Sequence, residues 1–240
     1  PNPAALINVA TGSTGPAPVS DYGTELTFLR LMKDQSNAYT ARISASYAAQ
    51  ATMSTMYAAS GNTLSDQLKV VARLIGGGLK TPVYIVNHPN SFDTHVSQVT
   101  AGNTVAGSHA DMLSKLSVAI TAFQDDITLM GKHTKVTGMT FSEFGRRVIS
   151  NTSFGTDHGS GAPVIFFGAM LNGGVTGTSP VLPAIPTGST QVPLQYDYRQ
   201  LYATVMQKWL CMTATESETV LNGTFATVPI FNSVLLPLDG

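Results

Sequence analysis

The sequence predicts an α/β fold of three layers, in which helices cover both faces of a mainly parallel sheet. Three short runs of β-branched and other apolar residues, at 82–86, 135–141 and 163–167, are typical of strands. Longer stretches with apolar residues at helical spacing separate them. Strands that alternate with helices favour a parallel sheet. We expect residues 1–240 to form a single domain of this kind, with an irregular segment at 1–20.

Four stretches of the chain are predicted to be helical. Residues 21–60 contain no proline and are rich in alanine, methionine and leucine, which favour helix. Thr63 is expected to cap a second helix that stops at the three glycines 76–78. A third, amphipathic helix ends at Gly131, and Asp197 is expected to cap a fourth. The residues predicted to face inward are Met112, Leu116, Ile120, Phe123 and Ile127 on the third helix, and Leu201, Val205 and Trp209 on the fourth.

The composition excludes several classes of function. The chain has 13 basic and 14 acidic residues, without a basic stripe, so electrostatic binding of nucleic acid is not expected. No apolar run reaches the roughly 20 residues that a membrane-spanning helix needs. Cys211 is the only cysteine, which excludes an internal disulfide framework and a cysteine-based zinc module. A net charge near zero favours self-association.

Polar loops follow the predicted strands, and they contain the segments FDTH, SEFGR and TDHG. In parallel sheets, ligands bind beyond the carboxyl ends of the strands. We therefore expect these three segments to meet at one edge of the sheet. The sequence has no glycine-rich phosphate loop, no G-x-S-x-G elbow and no H-E-x-x-H motif.

The candidate metal ligands are Asp93, His95, Asp157 and His158. Asp93 and His95 flank Thr94, and alternate side chains of an extended segment point the same way. Asp157 and His158 are adjacent in a loop that glycines allow to turn sharply. Two imidazoles and two carboxylates suit Zn²⁺ or another borderline divalent ion. The alternative is that these residues form Asx turns and caps in ordinary polar loops.

Glu143 and Arg146 are the candidate catalytic residues. Glu143 would add a third carboxylate from the intervening loop. Arg146, or its neighbour Arg147, would pair with a substrate oxyanion. The alternative for the arginine is an ion pair with a carboxylate that holds the loop.

Three blocks of sequence, FDTHVSQ, TFSEFGRRVISNTSFGTDHG and YDYRQLYATVMQKWL, resemble an uncharacterised bacterial family called domain of unknown function 1501. The resemblance covers roughly residues 63–235. It implies an exported protein, periplasmic or extracellular, with a fold like that of alkaline phosphatases and sulfatases. No reaction is established for the family.

In the wider superfamily, one of two metal ions is held by an Asp and a His from one loop and by a later His. Asp93, His95 and His158 look like that set, because GSGAPVIFFG follows His158 as a strand would. The second ion usually takes an Asp-His pair, and this chain has Glu143-Phe144 in that place. Phenylalanine cannot ligate a metal, so the chain departs from the pattern there.

Superfamily members also carry an early strand with a metal-binding Asp and a Ser or Thr nucleophile. The chain begins at Pro1, after that point, so we expect a processed product or a fragment that lacks the N-terminal portion of the fold. One hypothesis is a metal-dependent hydrolase of phosphate or sulfate esters. The other is a non-catalytic extracellular subunit. In either case we expect the chain to form a homo-oligomer or to pair with an N-terminal partner chain, because an unpaired sheet edge seldom stays exposed.

Overall fold

The computed structural model describes residues 15–88 and 92–232, and the chain divides into two compact units. Unit 1 takes its described residues from Pro1–Asn87 and Val118–Met130, and unit 2 takes them from His88–Ser117 and Gly131–Gly240. The division leaves the single domain over residues 1–240 a prediction. Of the predicted irregular segment, residues 1–14 lie outside the described residues.

The structure is mixed α/β, as predicted, but its strands pair in the opposite sense to the prediction. The elements in chain order are α1 (Asp21–Ala49), α2 (Thr63–Gly76), α3 (Ser108–Leu129), β1 (Gly138–Met139), β2 (Gly145–Ser150), β3 (Thr156–Gly159), β4 (Phe166–Phe167), α4 (Tyr198–Lys208) and α5 (Ala214–Leu221). The described strands form two two-stranded sheets, β1 with β4 and β2 with β3, and both are antiparallel. The mainly parallel, three-layer sheet is therefore wrong for the part of the chain that the structure describes.

Two of the three predicted strands are present only as short pieces, and one is absent. β1 lies within 135–141 and β4 within 163–167, and they pair with Gly138 opposite Phe167. Residues 82–86 form no strand, and the side chains of Val83 and Ile85 are exposed. An apolar run of five residues predicted a buried strand there, but none of the described strands lies beside it to pair with its backbone.

Helix α1 ends earlier than predicted, because the chain after it is held by a buried carboxylate. The N-cap of the helix is Ser20, whose side chain accepts a hydrogen bond from the backbone N–H of Gly23. The C-cap is Gln50. Asp126, on α3, is fully buried. Its carboxylate accepts hydrogen bonds from the backbone N–H groups of Met53 (2.7 Å) and Ser54 (3.0 Å) and from the Tyr57 hydroxyl (3.0 Å).

Helix α2 packs against the end of α1 in unit 1. Its N-cap is Asn62, one residue before the predicted Thr63, and its C-cap is Gly77. Arg73 donates hydrogen bonds to the carbonyls of Tyr47 (2.8 Å) and Gln50 (2.7 Å), which satisfies acceptors that a helix end leaves unpaired. A Cβ at Gly77 would overlap the carbonyl of Ser46, so a glycine is required for this close approach.

The inward face predicted for α3 is confirmed. Met112, Phe123 and Ile127 are buried, and Leu116 and Ile120 are half-buried. Gly131 follows the helix with a positive φ of 67°, a conformation that glycine adopts without strain. Among the described helices, none is both long enough and apolar enough to cross a bilayer.

Helix α4 forms the core of unit 2 with the chain that follows it. Asp197 caps the helix as predicted, in a capping box with Gln200. The predicted inward residues pack against a buried cluster, and the Trp209 ring stacks on Phe231. The cluster consists of Val228, Ile230 and Phe231, and it is flanked by Phe166, Leu171, Tyr196, Leu201, Val205 and Trp209.

Candidate metal site

A β-hairpin, predicted as a loop, builds the candidate site in unit 2. Strands β2 and β3 pair with Arg146 opposite His158. The turn between them is closed by Asn151, whose side-chain oxygen accepts hydrogen bonds from the N–H groups of Ser153 (2.9 Å) and Gly155 (3.1 Å). An Asn that closes a turn on its own backbone is a common turn signal, and the hairpin follows from it.

The segment that carries Asp93 and His95 lies along this hairpin. Thr156 donates its backbone N–H to the carbonyl of Thr94 (3.2 Å), and the Asn151 side chain donates to the carbonyl of His95 (2.8 Å). A Cβ at Gly155 would overlap the carbonyl of His95, so the two segments approach closely only because this position is glycine. The hairpin thus brings residues 93–95 and 157–158 together without the parallel sheet that the sequence predicted.

Asp93, His95 and His158 converge, as the sequence predicted. One ligand atom from each lies within 4.8 Å of the other two. The Oδ1 atom of Asp93 is 3.0 Å from Nε2 of His95 and 2.8 Å from Nε2 of His158. The three side chains are 39–46% exposed, so the group is open to solvent. Hydrogen bonding from His158, together with the nearby His95 and Arg146, lowers the pKa of Asp93 below its ordinary value.

Asp157 lies beside this group, next to His95. Its Oδ1 atom is 3.3 Å from Nδ1 of His95 and 3.4 Å from the Asn151 side-chain nitrogen. Hydrogen bonds from Asn151 and His95 lower the pKa of Asp157. An ionised carboxylate accepts hydrogen bonds and donates none, so a hydrogen bond in this contact requires the proton to be on Nδ1 of His95. The structure therefore places Asp157 behind His95 and outside the group of three.

This contact fixes which atom of His95 is available to a cation. With its proton on Nδ1, a neutral His95 presents a lone pair on Nε2, only 3.0 Å from the negative Oδ1 of Asp93. Two acceptors at that distance repel each other unless a positive charge, a proton or a metal ion, lies between them. A carboxylate that holds the second nitrogen of a histidine is the usual support for a metal ligand. The donor set fits a divalent ion.

Arg146 binds protein atoms within the site. It donates hydrogen bonds to the carbonyls of Phe92 (Nε, 3.1 Å) and Thr156 (Nη1, 2.7 Å) and to the carboxylate of Asp93 (Nη2, 3.0 Å). These contacts match the alternative given for it above, a carboxylate pair that holds the loop. Its role toward a substrate stays a prediction. Arg147 likewise donates to the carbonyls of His158 (3.2 Å) and Gly188 (2.8 Å).

Glu143 is exposed, and it does not belong to the group formed by Asp93, His95 and His158. A catalytic role for Glu143 stays a prediction. Its neighbour Phe144, which the sequence marked only as unable to ligate, stacks on the His158 ring at 3.6 Å between centroids and 11° between planes. Phe144 thereby orients a predicted ligand. The one sequence feature consistent with this contact is that Phe144 is aromatic and directly precedes the hairpin.

Two polar residues of the site were not identified from the sequence. Asn151 contacts both Asp157 and the His95 backbone, as described above. The Gln98 side-chain oxygen accepts hydrogen bonds from the hydroxyls of Thr94 (2.9 Å) and Thr156 (2.7 Å). These bonds join the segment that carries Asp93 and His95 to β3. Amide side chains are not among the usual ligands of zinc, so chemistry alone gave no signal for them.

The comparisons with known proteins agree with the sequence blocks. A family model described as "Protein of unknown function (DUF1501)" matches residues 25–227, which include all the residues of the candidate site. No curated protein and no solved structure shows significant similarity to the chain. The match extends over most of the chain, and the chain therefore belongs to the DUF1501 family.

Proposed function

We propose that the chain is a metal-dependent hydrolase of phosphate or sulfate esters that holds one divalent ion through Asp93, His95 and His158. The observation that supports it is the convergence of one carboxylate oxygen and two imidazole nitrogens on one solvent-open point. Three protein ligands with an open position are typical of catalytic zinc sites, whereas structural sites use four. The resemblance to alkaline phosphatases and sulfatases supports the class of substrate.

The charges of the site support a divalent ion of the zinc type. Asp93 supplies one negative charge, and two neutral imidazoles are ligands that suit Zn²⁺ better than Mg²⁺ or Ca²⁺, which prefer oxygen. When bound, such an ion would polarise an ester oxygen as a Lewis acid. Asp157 would hold His95 in the tautomer that ligates through Nε2, and Phe144 would hold the plane of His158.

The experiment is an assay of the chain with p-nitrophenyl phosphate and p-nitrophenyl sulfate, after loading with Zn²⁺ or Mn²⁺. We expect turnover that Asp93→Ala and His158→Ala each reduce by at least about 100-fold, since even the supports of metal ligands are worth 10–100-fold. His133→Ala is the matched control, because His133 lies outside the group, and it should keep full turnover. Wild-type chain that binds zinc but hydrolyses neither ester would contradict the hydrolase.

A non-catalytic metal-binding subunit is the second candidate, and one observation favours it. Arg146 and Arg147 both donate to carbonyl groups of the protein, so their hydrogen bonds support the hairpin. A hydrolase of anionic esters commonly directs arginine at the transferring group. Zinc binding without turnover, in the assay above, is the result that this candidate predicts.

A further inference from the structure

Helix α1 carries a stripe of exposed apolar side chains that the described residues do not cover. Tyr22, Leu29, Met32 and Tyr39 are 68%, 62%, 49% and 55% exposed. Their spacings of seven, three and seven residues are the a and d positions of a heptad repeat. A helix of 29 residues gains most of its stability in a protein from packing of such a face. Packing of this face against another helix would supply that stability.

The same stripe continues into the packing of α1 within unit 1. The next positions of the repeat are Ile43, which is half-buried, and Ser46, which is buried where Gly77 approaches its carbonyl. The face that packs against the end of α2 thus extends toward the N-terminus of α1 as exposed apolar surface. The apolar positions of the repeat are covered at one end and open at the other, which is the arrangement that a further helix would complete.

We propose that the occupant is α1 of a second copy of this chain, packed antiparallel about a two-fold axis between residues 30 and 31. In antiparallel pairs, a positions pack against d positions. About this axis Tyr22 of one copy faces Tyr39 of the other, and Leu29 faces Met32. Both apolar layers therefore match with no shift of register. Each copy uses the same surface, as a two-fold dimer requires.

The polar residues of α1 fit this arrangement too. Glu25 and Ser36 occupy the remaining seam positions, and they face each other across the same axis, so their polar groups meet and do not oppose apolar side chains. Asp21 and Arg42 flank the seam at equivalent positions and lie opposite each other in the antiparallel pair. The six charges of α1 sum to zero, with Asp21 and Glu25 near the start and Arg42 near the end. In a parallel pair these like charges would instead lie side by side.

The experiment measures the mass of the full chain by sedimentation equilibrium between about 1 and 200 µM. We expect wild-type chain to reach about twice its 25.2 kDa mass. Leu29→Glu and Met32→Lys each place a charge in both central layers of the dimer, so each should raise the dissociation constant at least about 100-fold. Leu31→Glu is the matched control, because Leu31 is also exposed on α1 but lies off the seam. It should dimerise as wild type does.

A mixture of the two seam variants tests the register. Leu29→Glu on one copy faces Met32→Lys on the other only in the antiparallel register given above, so an equimolar mixture should recover the dimer. Circular dichroism of each variant shows whether the helix is intact. Wild-type chain that stays monomeric at 200 µM overturns the proposal. So does a Leu31→Glu variant that dissociates as readily as Leu29→Glu, or a mixture that stays monomeric.

Discussion

Asp126 and Asp93 each make several polar contacts through the carboxylate, but they differ in burial and in the kind of group that contacts them. Asp126, in unit 1, is fully buried, and its partners are two backbone N–H groups and a tyrosine hydroxyl. Asp93, in unit 2, is 39% exposed, and two of its partners are imidazole nitrogens. Backbone amides keep their hydrogen at every accessible pH, whereas an imidazole nitrogen can release its proton to solvent and bind a metal ion in its place. The first arrangement is suited to stability and the second to binding.

The contacts of Tyr57 support the same distinction. Burial, together with the adjacent Asp126, raises the pKa of the Tyr57 hydroxyl, so it remains a donor. All the donors to Asp126 are then satisfied without any exchange of protons. At Asp93, the Nε2 atoms of His95 and His158 both lie within 3.0 Å of the same carboxylate oxygen, Oδ1. Each of these contacts is favourable only when a proton or a metal ion lies between the nitrogen and the oxygen. The imidazole protons that make these contacts favourable are protons that a metal ion can displace when it binds.

Removal of the buried carboxylate should have the largest effect. Asp126→Ala leaves two backbone N–H groups and the Tyr57 hydroxyl without their acceptor, at a cost of about 3 kcal/mol in the free energy of unfolding. The midpoint of thermal unfolding should fall by about 10 °C. Urea denaturation followed by circular dichroism measures the change. Asp125→Ala, at the preceding half-buried position, should change stability by less than about 0.5 kcal/mol.

Removal of Asp157 should affect metal binding and leave the fold nearly unchanged. Asp157→Ala removes the acceptor that holds the proton on Nδ1 of His95, so zinc affinity should fall by about 10–100-fold. Competition with a chromophoric chelator measures the affinity. Asp111→Ala is the control, since Asp111 is an exposed aspartate that pairs with Lys115. Equal zinc affinity in the two variants would show that Asp157 does not support His95.

A methyl group at Gly155 should separate the two halves of the site. Gly155→Ala pushes the His95 carbonyl away from the hairpin, at a cost of about 1–3 kcal/mol for the overlap. We expect zinc affinity to fall with it, by about tenfold. Gly173→Ala is the matched control, because a Cβ there meets open space. If Gly155→Ala binds zinc as wild type does, the close approach of the two segments does not position His95.

The smallest expected effect is on the pH dependence of stability, at the N-cap of α4. Asp197 acts there through its charge and takes no part in the candidate metal site. Hydrogen bonds from the Arg199 side chain and backbone lower the pKa of Asp197 to about 2. The folded pKa lies below the unfolded value near 3.8, so the ionised group stabilises the fold above about pH 4, and this contribution is lost as pH falls toward 2. Asp197→Asn keeps a capping oxygen but no charge. The stability difference between wild type and this variant should close between pH 4 and pH 2.

Four of the five described helices could be predicted from the sequence because their signals are local; α5 was not predicted, although Thr213 and Glu216 form a capping box at its start. The cap at Asp197, the stop at glycines 76–78 and the apolar stripe of α3 all act within a few residues, and the structure contains each of them. The end of α1 at Gln50 could not be predicted, since Asp126 captures Met53 and Ser54 from more than 70 positions away. Nothing near residue 50 in the sequence marks that contact.

The site was predicted more completely than the sheet that was expected to build it. Alternation in Asp93-Thr94-His95 identified two of the three converging residues, and the TDHG segment supplied His158. The parallel sheet was wrong because SEFGRRVISNTSFGTDHG reads as a polar loop, although Asn151 and Gly155 close it into a hairpin. Phe144 and Asn151 support the site through stacking and hydrogen bonds to backbone, and such contacts depend on tertiary structure.

Isothermal titration of Zn²⁺ into the metal-free chain tests most directly whether Asp93, His95 and His158 form a metal site. We predict one ion per chain, with binding abolished or weakened at least about 100-fold in Asp93→Ala and in His158→Ala, and unchanged in His133→Ala. X-ray absorption of the loaded chain should show two nitrogen ligands from imidazole at about 2.0–2.1 Å. A wild-type chain that takes up no zinc, or one whose zinc binding survives both substitutions, would contradict the account.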